Sequence, residues 1–304
     1  MSQNALKRFK RALARNALYF FTWFLNKLPY GAVDSLIQFL VTIGFCFTVG
    51  QRRIARESLK IAFGKHKEPS EINQIIWGCF KNLGRGMIEL IYFIEHPQMI
   101  RDRVYFEGKE HLDQAFQQGQ GAIVVSGHFG NFPLMLLRCV QEGYKVHAII
   151  RPARDEAIEK YFLQQRQKFG LNTIYSQPRK ECVENSLKVL RNNEILFIPL
   201  DQNFGSPGGV FVDFFGQKAA TATGPVVFAL RTKAPIIPMF IIRLRDNKHR
   251  ITIEPPIEMQ YGSTDQDTIL MNTTRITSII EQYIWRFPQE WGWMHRRWKS
   301  RPAS

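Results

Sequence analysis

Residues 121–133 read Gly-Ala-Ile-Val-Val-Ser-Gly-His-Phe-Gly-Asn-Phe-Pro, and the change of character halfway along decides the fold. Gly121 to Val125 is a short, unbroken apolar run rich in β-branched residues, as suits a strand buried on both faces of a parallel sheet. Ser126, Gly127, His128, Gly130 and Asn131 then bring small, turn-forming and titratable groups to the point where that strand should end. Leu134 to Val140 resumes as an apolar helix. Ligands of open α/β sheets bind at this carboxyl edge, so His128 is the first candidate for chemistry.

Downstream, strands and helices alternate. Lys145 to Ile150, Asn172 to Tyr175 and Ile195 to Leu200 read as strands, with helices over Asp155 to Phe169 and Glu181 to Arg191 between them. The fold expected is therefore α/β, a largely parallel mixed sheet covered by helices on both faces. Two of these strands end on charge, at Arg151 and Asp201, and in a parallel sheet such ends meet at the edge that carries His128. Asp201 to Gly224 reads as a Gly-rich loop. It has neither the phosphate-loop order nor the dinucleotide fingerprint, but it carries Phe204, Phe211, Phe214 and Phe215, which suit the lining of an apolar substrate arm. Thr223 is the expected cap of a helix through Thr232, Pro235 to Leu244 should pair with Ile251 to Ile253, and Thr264 to Phe287 is a covering helix.

Upstream, Pro69 to about Phe93 is a helix whose stripe Ile72, Ile75, Ile76, Phe80, Leu83, Met87 and Leu90 is expected in the core. The first fifty residues differ from the rest. A helix over Leu6 to Phe24 would put Leu6, Phe9, Leu13, Phe20 and Phe24 on one face and Lys7, Arg8, Arg11 and Arg15 on the other, the pattern of an interfacial anchor. Ser35 to Gly50 is uncharged but shorter than the roughly 20 residues of a full span, leaving a monotopic hairpin, a tilted span and a buried helix open. Residues 1–50 are thus expected to be a membrane-associating segment and residues 51–304 the body. Arg52, Arg53 and Arg56 would keep both flanks on the cytoplasmic side.

The chain of 304 residues carries a formal charge of +15, which calls for an anionic partner. With 24 Phe and 6 Trp beside 41 Lys and Arg, a lipid headgroup boundary fits better than nucleic acid, for which no motif is present. Arg8, Arg11, Arg15, Arg296 and Arg297 are the candidate headgroup contacts. Cys46, Cys79, Cys139 and Cys182 lack metal-ligand spacing, so neither a metal nor a bound cofactor is expected.

Five blocks occur in an order that resembles the bacterial late lipid A acyltransferases, the lauroyl and myristoyl branch of the lysophospholipid acyltransferase superfamily. They are Ser126 to Asn131, Asp201 to Asn203, Gly209 to Gly216, Thr221 to Pro225 and Ala234 to Phe240, with Trp291 to Lys299 as a similar ending. The resemblance implies a glycerolipid-acyltransferase-like fold and an enzyme on the cytoplasmic face of the inner membrane. It would move an acyl chain from acyl carrier protein or acyl-CoA, as co-substrate, to a hydroxyl of a lipid acceptor. A neutral imidazole suits removal of the hydroxyl proton near pH 7, which is the role of His128. Backbone N–H groups after it, at the start of the following helix, would hold the oxyanion. By resemblance Arg151 and Asp201 serve substrate positioning and site electrostatics, with Gly130, Asn131, Phe211, Phe214 and Phe215 around the substrate. The family places Asp or Glu five residues after the histidine, where this chain has Pro133. A carboxylate from elsewhere, Asp201 first among them, a backbone carbonyl, or loss of catalysis with retained lipid binding or scaffolding would each account for the proline.

Overall fold

The strand read from residues 121–133 is Ala122–Ser126, fully buried, and its alternate residues face two cores. Ile123 and Val125 belong to one and Ala122 and Val124 to the other, because helices cover both faces of the sheet. The computed structural model describes residues 16–17, 19–64, 66–153, 155–205 and 208–302.

Residues 19–25 are helical. Beyond them come α1 (Tyr30–Phe47), α2 (Val49–Phe63), α3 (Pro69–Glu95), α4 (Pro97–Arg103), β1 (Val104–Glu107), α5 (Lys109–Gln117), β2 (Ala122–Ser126), α6 (Phe132–Gln141), β3 (Val146–Ile150) and α7 (Glu156–Phe169). Then follow β4 (Leu171–Tyr175), α8 (Arg179–Arg191), β5 (Ile195–Pro199), β6 (Gly209–Phe214), β7 (Gln217–Ala222), α9 (Gly224–Thr232), β8 (Ile236–Arg243), β9 (His249–Ile253) and α10 (Asp265–Arg286). Among the described residues the main sheet has seven strands in the order β1-β9-β8-β2-β5-β3-β4. All neighbours run parallel except β8 and β9, the pair expected from the sequence, which a turn at residues 245–248 joins. The α/β fold with a largely parallel mixed sheet is therefore observed.

Sequence signals for the element ends are mostly obeyed. Asp155 caps α7 by accepting from the Ala157 and Ile158 N–H groups, both at 3.2 Å. Thr264 and Asp267 form a capping box that starts α10, which stops before Pro288. Thr223 differs: it precedes α9, but its hydroxyl donates to the Gly208 carbonyl (2.8 Å) and makes no cap bond.

Two regions depart from expectation. The supposed loop after Asp201 is largely a hairpin, β6 paired antiparallel with β7, turned by Phe215 (φ 52°) and Gly216 (φ 69°). Two successive positive φ angles suit the twist of a two-residue hairpin turn, and a phenylalanine in the first position hid that signal. On α3, Ile72, Ile75, Ile76 and Phe80 are in the core, but Leu83 and Met87 are exposed, so core packing does not account for the whole stripe.

The apolar run after Pro29 is α1, an 18-residue helix of mean hydropathy 1.5 with only 17% of it buried. Phe39 (61%) and Phe47 (83%) face outward, as do Phe20 and Trp23 in the preceding helical turns. The other face of α1 is pinned to the body: Arg85 on α3 binds Asp34, and Tyr30 donates to Glu89 at 3.3 Å. The boundary expected at residue 50 falls inside the first turn of α2.

Candidate active site

Parallel register assembles the site. Ser126 at the end of β2 pairs with Pro199 at the end of β5, so the residues two positions further on, His128 and Asp201, face one another past the sheet edge. His128 Nδ1 lies 2.8 Å from Asp201 Oδ1, and the His128 backbone N–H donates to Oδ2 at 2.8 Å. The Trp291 indole N–H donates to the same Oδ2 at 2.7 Å. Gly127 makes this approach possible, because a Cβ there would stand 3.3 Å from the Asp201 carboxyl.

The electrostatics follow from that geometry. Burial alone would push the Asp201 carboxyl up, but the His128 charge and the three donors hold it well below the usual carboxylate range. Burial likewise disfavours the His128 imidazolium, yet the charge and hydrogen bond of Asp201 outweigh it, and the His128 pKa is raised. Since ionised Asp201 accepts at Nδ1, that nitrogen carries the proton in the neutral ring. The lone pair is then on Nε2, which points away from the carboxylate.

His128 keeps 27% of its side chain exposed, edge-on to Phe132 with ring centroids 5.3 Å apart. It opens on a cavity of about 1330 Å³. Its wall includes Phe132, Pro133 and Leu136 of α6 and Phe197 of β5, and α3 contributes Met87, Leu90 and Ile91. Arg151, Arg231 and Lys299 supply cationic groups to an otherwise mainly apolar lining. At this size the cavity exceeds the roughly 300–1,000 Å³ of drug-sized sites and has room for a long aliphatic chain.

An imidazole oriented by a carboxylate at the rim of an apolar cavity is able to take the proton of a hydroxyl that attacks an acyl group. A model of the bacterial lipid A biosynthesis acyltransferases matches residues 4–300. The chain belongs to that family. It is similar to the lipid A biosynthesis palmitoleoyltransferase of Escherichia coli, 26% identical over 93% of this chain and 90% of the relative. The lauroyltransferase of the same organism is 24% identical over the same shares. A phosphatidylinositol mannoside acyltransferase of Mycobacterium tuberculosis is 28% identical over 48% of this chain and 46% of its own. Among solved structures, the 1-acyl-sn-glycerophosphate acyltransferase of Thermotoga maritima is a distant likeness: TM-score 0.38, 12% identity, 82% of this chain and 96% of that one.

This member of the lipid A acyltransferase family is an O-acyltransferase, and its departure at Pro133 has a structural counterpart. Pro133 sits in the first turn of α6 on the cavity wall, while the carboxylate beside the imidazole comes from the end of β5. The proline thus gives no ground for reading the chain as a non-catalytic lipid binder.

Several expected site residues sit elsewhere. Phe214 and Phe215 pack with Trp291, Trp293 and Trp298, and neither they nor Phe211 lines the cavity; among the loop aromatics only Phe204 does. Hairpin pairing turns Phe214 inward against the C-terminal segment, which is why the lining assignment fails. Asn131 is buried and donates its amide to the Gly86 carbonyl at 3.1 Å. The Gly130 N–H goes to the Glu290 carbonyl at 2.7 Å, so it is not an oxyanion donor in this arrangement. Gly130 is there for its backbone: φ is +55°, and a Cβ would stand 2.1 Å from the Ile241 carbonyl oxygen. Arg297, expected at a headgroup, is fully buried, donating to the Gln202 and Ala220 carbonyls and the Thr221 hydroxyl. Arg151 lies exposed at the cavity and Arg296 is exposed on the surface. Arg8, Arg11 and Arg15 lie outside the described residues. Trp291 and His295 join the site without having been assigned to it, because the C-terminal segment reaches the sheet edge only in three dimensions, and Gln202 follows Asp201 to within 3.1 Å of His128.

Proposed function

We propose that this acyltransferase moves a fatty acyl chain from a thioester of acyl carrier protein or coenzyme A to a hydroxyl of a lipid A precursor. His128 is the general base and Asp201 fixes its tautomer. Neutral His128 takes the hydroxyl proton on Nε2 as the oxygen attacks the thioester carbon. The C–S bond then breaks, and the thiolate leaves with the proton returned from the imidazolium, which Asp201 has stabilised. Arg151, Arg231 and Lys299 meet anionic groups of the substrates. The observation that carries the reading is Asp201 on Nδ1 of a histidine whose other face opens on a largely apolar cavity.

The enzyme works at the cytoplasmic face of the inner membrane. Support comes from the outward apolar residues of α1 and of residues 19–25, and from Arg52, Arg53 and Arg56 just beyond. The +15 charge suits both anionic lipid and an acidic carrier protein. The test is turnover of lauroyl-acyl carrier protein with a purified lipid A precursor. Wild type should form acylated product and His128→Ala should not; a fully active His128→Ala protein would end the proposal.

A further inference from the structure

The cavity beside His128 runs past the edge of the sheet and reaches both of its faces. Consecutive residues of two neighbouring strands line it, Ala148, Ile149 and Ile150 of β3 and Phe197, Ile198 and Pro199 of β5. Side chains alternate across a strand, so the space touches the core on each side. Ala148 and Phe197 belong to the cluster that also holds Leu25, Val33 and Ile37 of the N-terminal helices, whereas Ile198 belongs to that of Cys182 on α8 and Phe228 on α9. The N-terminal helices are therefore packed on one face, and α8 and α9 cover the other.

On that second face the cavity turns cationic. Arg179 at the start of α8, Arg231 in the last turn of α9 and Lys299 of the C-terminal segment line it and are exposed, as is Arg151 just beyond β3. Arg179 reaches across to the start of the hairpin, where Gly208 (φ +91°) leaves it room: a Cβ there would stand 2.8 Å from the guanidinium. Among the described residues the one carboxylate in the lining is Glu95, on α3, and Lys168 pairs with it at 2.8 Å.

Two features select the class of anion. The cations stand on four separate elements, so they frame an opening and do not form a phosphate nest of successive N–H groups. Among the described residues, none of the large exposed apolar side chains belongs to α8, α9 or the chain beyond α10. This rim thus lacks the apolar residues with which an interfacial helix enters a bilayer. A broad cationic rim at the entrance to an acyl site fits an acidic protein that brings the acyl chain as a thioester.

We propose that the acyl carrier protein docks on the rim formed by Arg151, Arg179, Arg231 and Lys299, across the sheet from the N-terminal helices, and presents its thioester to His128 through that opening. The inference rests on the acyl transfer proposed above. Acidic side chains of the carrier meet the four cations, and the acyl chain enters the cavity between them. The side that carries the N-terminal helices is left to the bilayer. A water-soluble donor and a membrane-bound acceptor then reach one imidazole without competing for the same surface.

Fluorescence anisotropy of labelled apo-acyl carrier protein, which lacks the phosphopantetheine arm, against the full-length chain in detergent tests the surface apart from the reaction. Wild type should bind saturably. Arg179→Glu combined with Arg231→Glu, first checked for a wild-type melting transition, should weaken binding by about 10- to 100-fold, because like charges then oppose one another across the contact. KM for lauroyl-acyl carrier protein should rise by a similar factor, and Arg179→Lys with Arg231→Lys, which keeps the charge, should retain most of the wild-type binding. Salt at about 0.5 M should weaken wild-type binding and change that of the charge-reversed protein much less. The inference is overturned if wild type does not bind apo-acyl carrier protein, or if KM rises for the lipid acceptor and not for the donor. It is also overturned if lauroyl-coenzyme A loses as much as the carrier-bound donor, which would make the rim a phosphate site. A charge-reversed protein that keeps its donor KM but no longer pellets with phosphatidylglycerol vesicles would overturn it too, making the rim a bilayer contact. An active His128→Ala protein that binds apo-acyl carrier protein would instead bring down the assignment of the base and leave the docking surface standing.

Discussion

His128 and His249 both lie against a buried carboxylate, at opposite ends of one structural problem. His128 Nδ1 is 2.8 Å from Asp201, which among the described residues is in no salt bridge with a guanidinium. His249 Nε2 is 3.9 Å from Glu89, but Glu89 already accepts from Arg243 at 2.9 and 2.6 Å and from Arg85 at 2.9 Å. Their titrations move apart: His128 is raised, whereas burial first, and then Arg243, push His249 down to about 3. A carboxylate neighbour makes a histidine a base only when no guanidinium has claimed its charge. The first cluster holds one proton near neutral pH beside an open cavity, and the second is a neutral ring in a set of ion pairs joining α1, α3, β8 and β9.

The largest effect should come from making the first cluster electrically like the second. Asp201→Asn keeps the shape but offers Nδ1 a donor, favouring the wrong tautomer. Turnover should fall by about 10⁴-fold, the scale seen when an orienting carboxylate is neutralised in a catalytic triad. The pH profile carries the sign. The base works neutral, so in wild type kcat/KM climbs with pH through a value above the ordinary 6.5. In the variant only burial remains, and the limb of the residual rate should move to lower pH. A limb that stays in place would separate Asp201 from the ionisation of His128.

Breaking the second cluster should cost stability instead. Glu89→Ala leaves Arg243 buried without its carboxylate and Arg85 with Asp34 alone, a loss of about 3–5 kcal/mol by the usual cost of halving a buried ion pair. Chemical unfolding in detergent reads it directly. Unfolding at the wild-type denaturant concentration would show that the arginines find other partners. Between these extremes, Trp291→Phe preserves ring packing and removes one donor to Asp201, a bond to a charged group worth about 1.5–3 kcal/mol. His128 still grips the carboxylate through its own N–H, so kcat should drop only about tenfold. A loss as large as that of Asp201→Asn would make the indole the principal anchor.

How legible the two clusters were in the sequence differs for a physical reason. His128 and Asp201 each follow an apolar β-strand by a fixed short offset, and parallel pairing turns equal offsets into contact. That β2 pairs with β5 rather than with the next strand, β3, is a tertiary choice with no local signal. Trp291 and His295 reach the site by a single bridge between Phe129 and Trp291, invisible to any periodicity. Glu89 lies on a helix that was correctly placed, but its partner Arg243 is 154 residues away, so the ion pairs could not be read. Phe214 and Phe215 misled in the opposite sense: an aromatic cluster after a candidate base suggested a lipid wall, and a hairpin turned it into core.

At neutral pH the smallest effect belongs to His249, and acid should enlarge it in a defined direction. The folded pKa is about 3 against roughly 6.5 in the unfolded chain, so between those values the unfolded state binds a proton the folded state refuses. The contribution of the neutral ring to stability is therefore complete above pH 6.5 and is lost as pH falls, by up to about 1.4 kcal/mol per pH unit. His249→Leu cannot titrate and does not share that loss. Among the described residues neither ring nitrogen of His249 has a hydrogen-bond partner, so the exchange removes no such bond and should cost about 1 kcal/mol or less at pH 7.5 through altered packing. Unfolding curves of the two proteins should then converge as pH is lowered and cross before pH 5. Parallel curves over that range would mean that His249 takes up its proton in the folded protein as readily as in the unfolded one. The arginines around Glu89 would then not set it apart from His128.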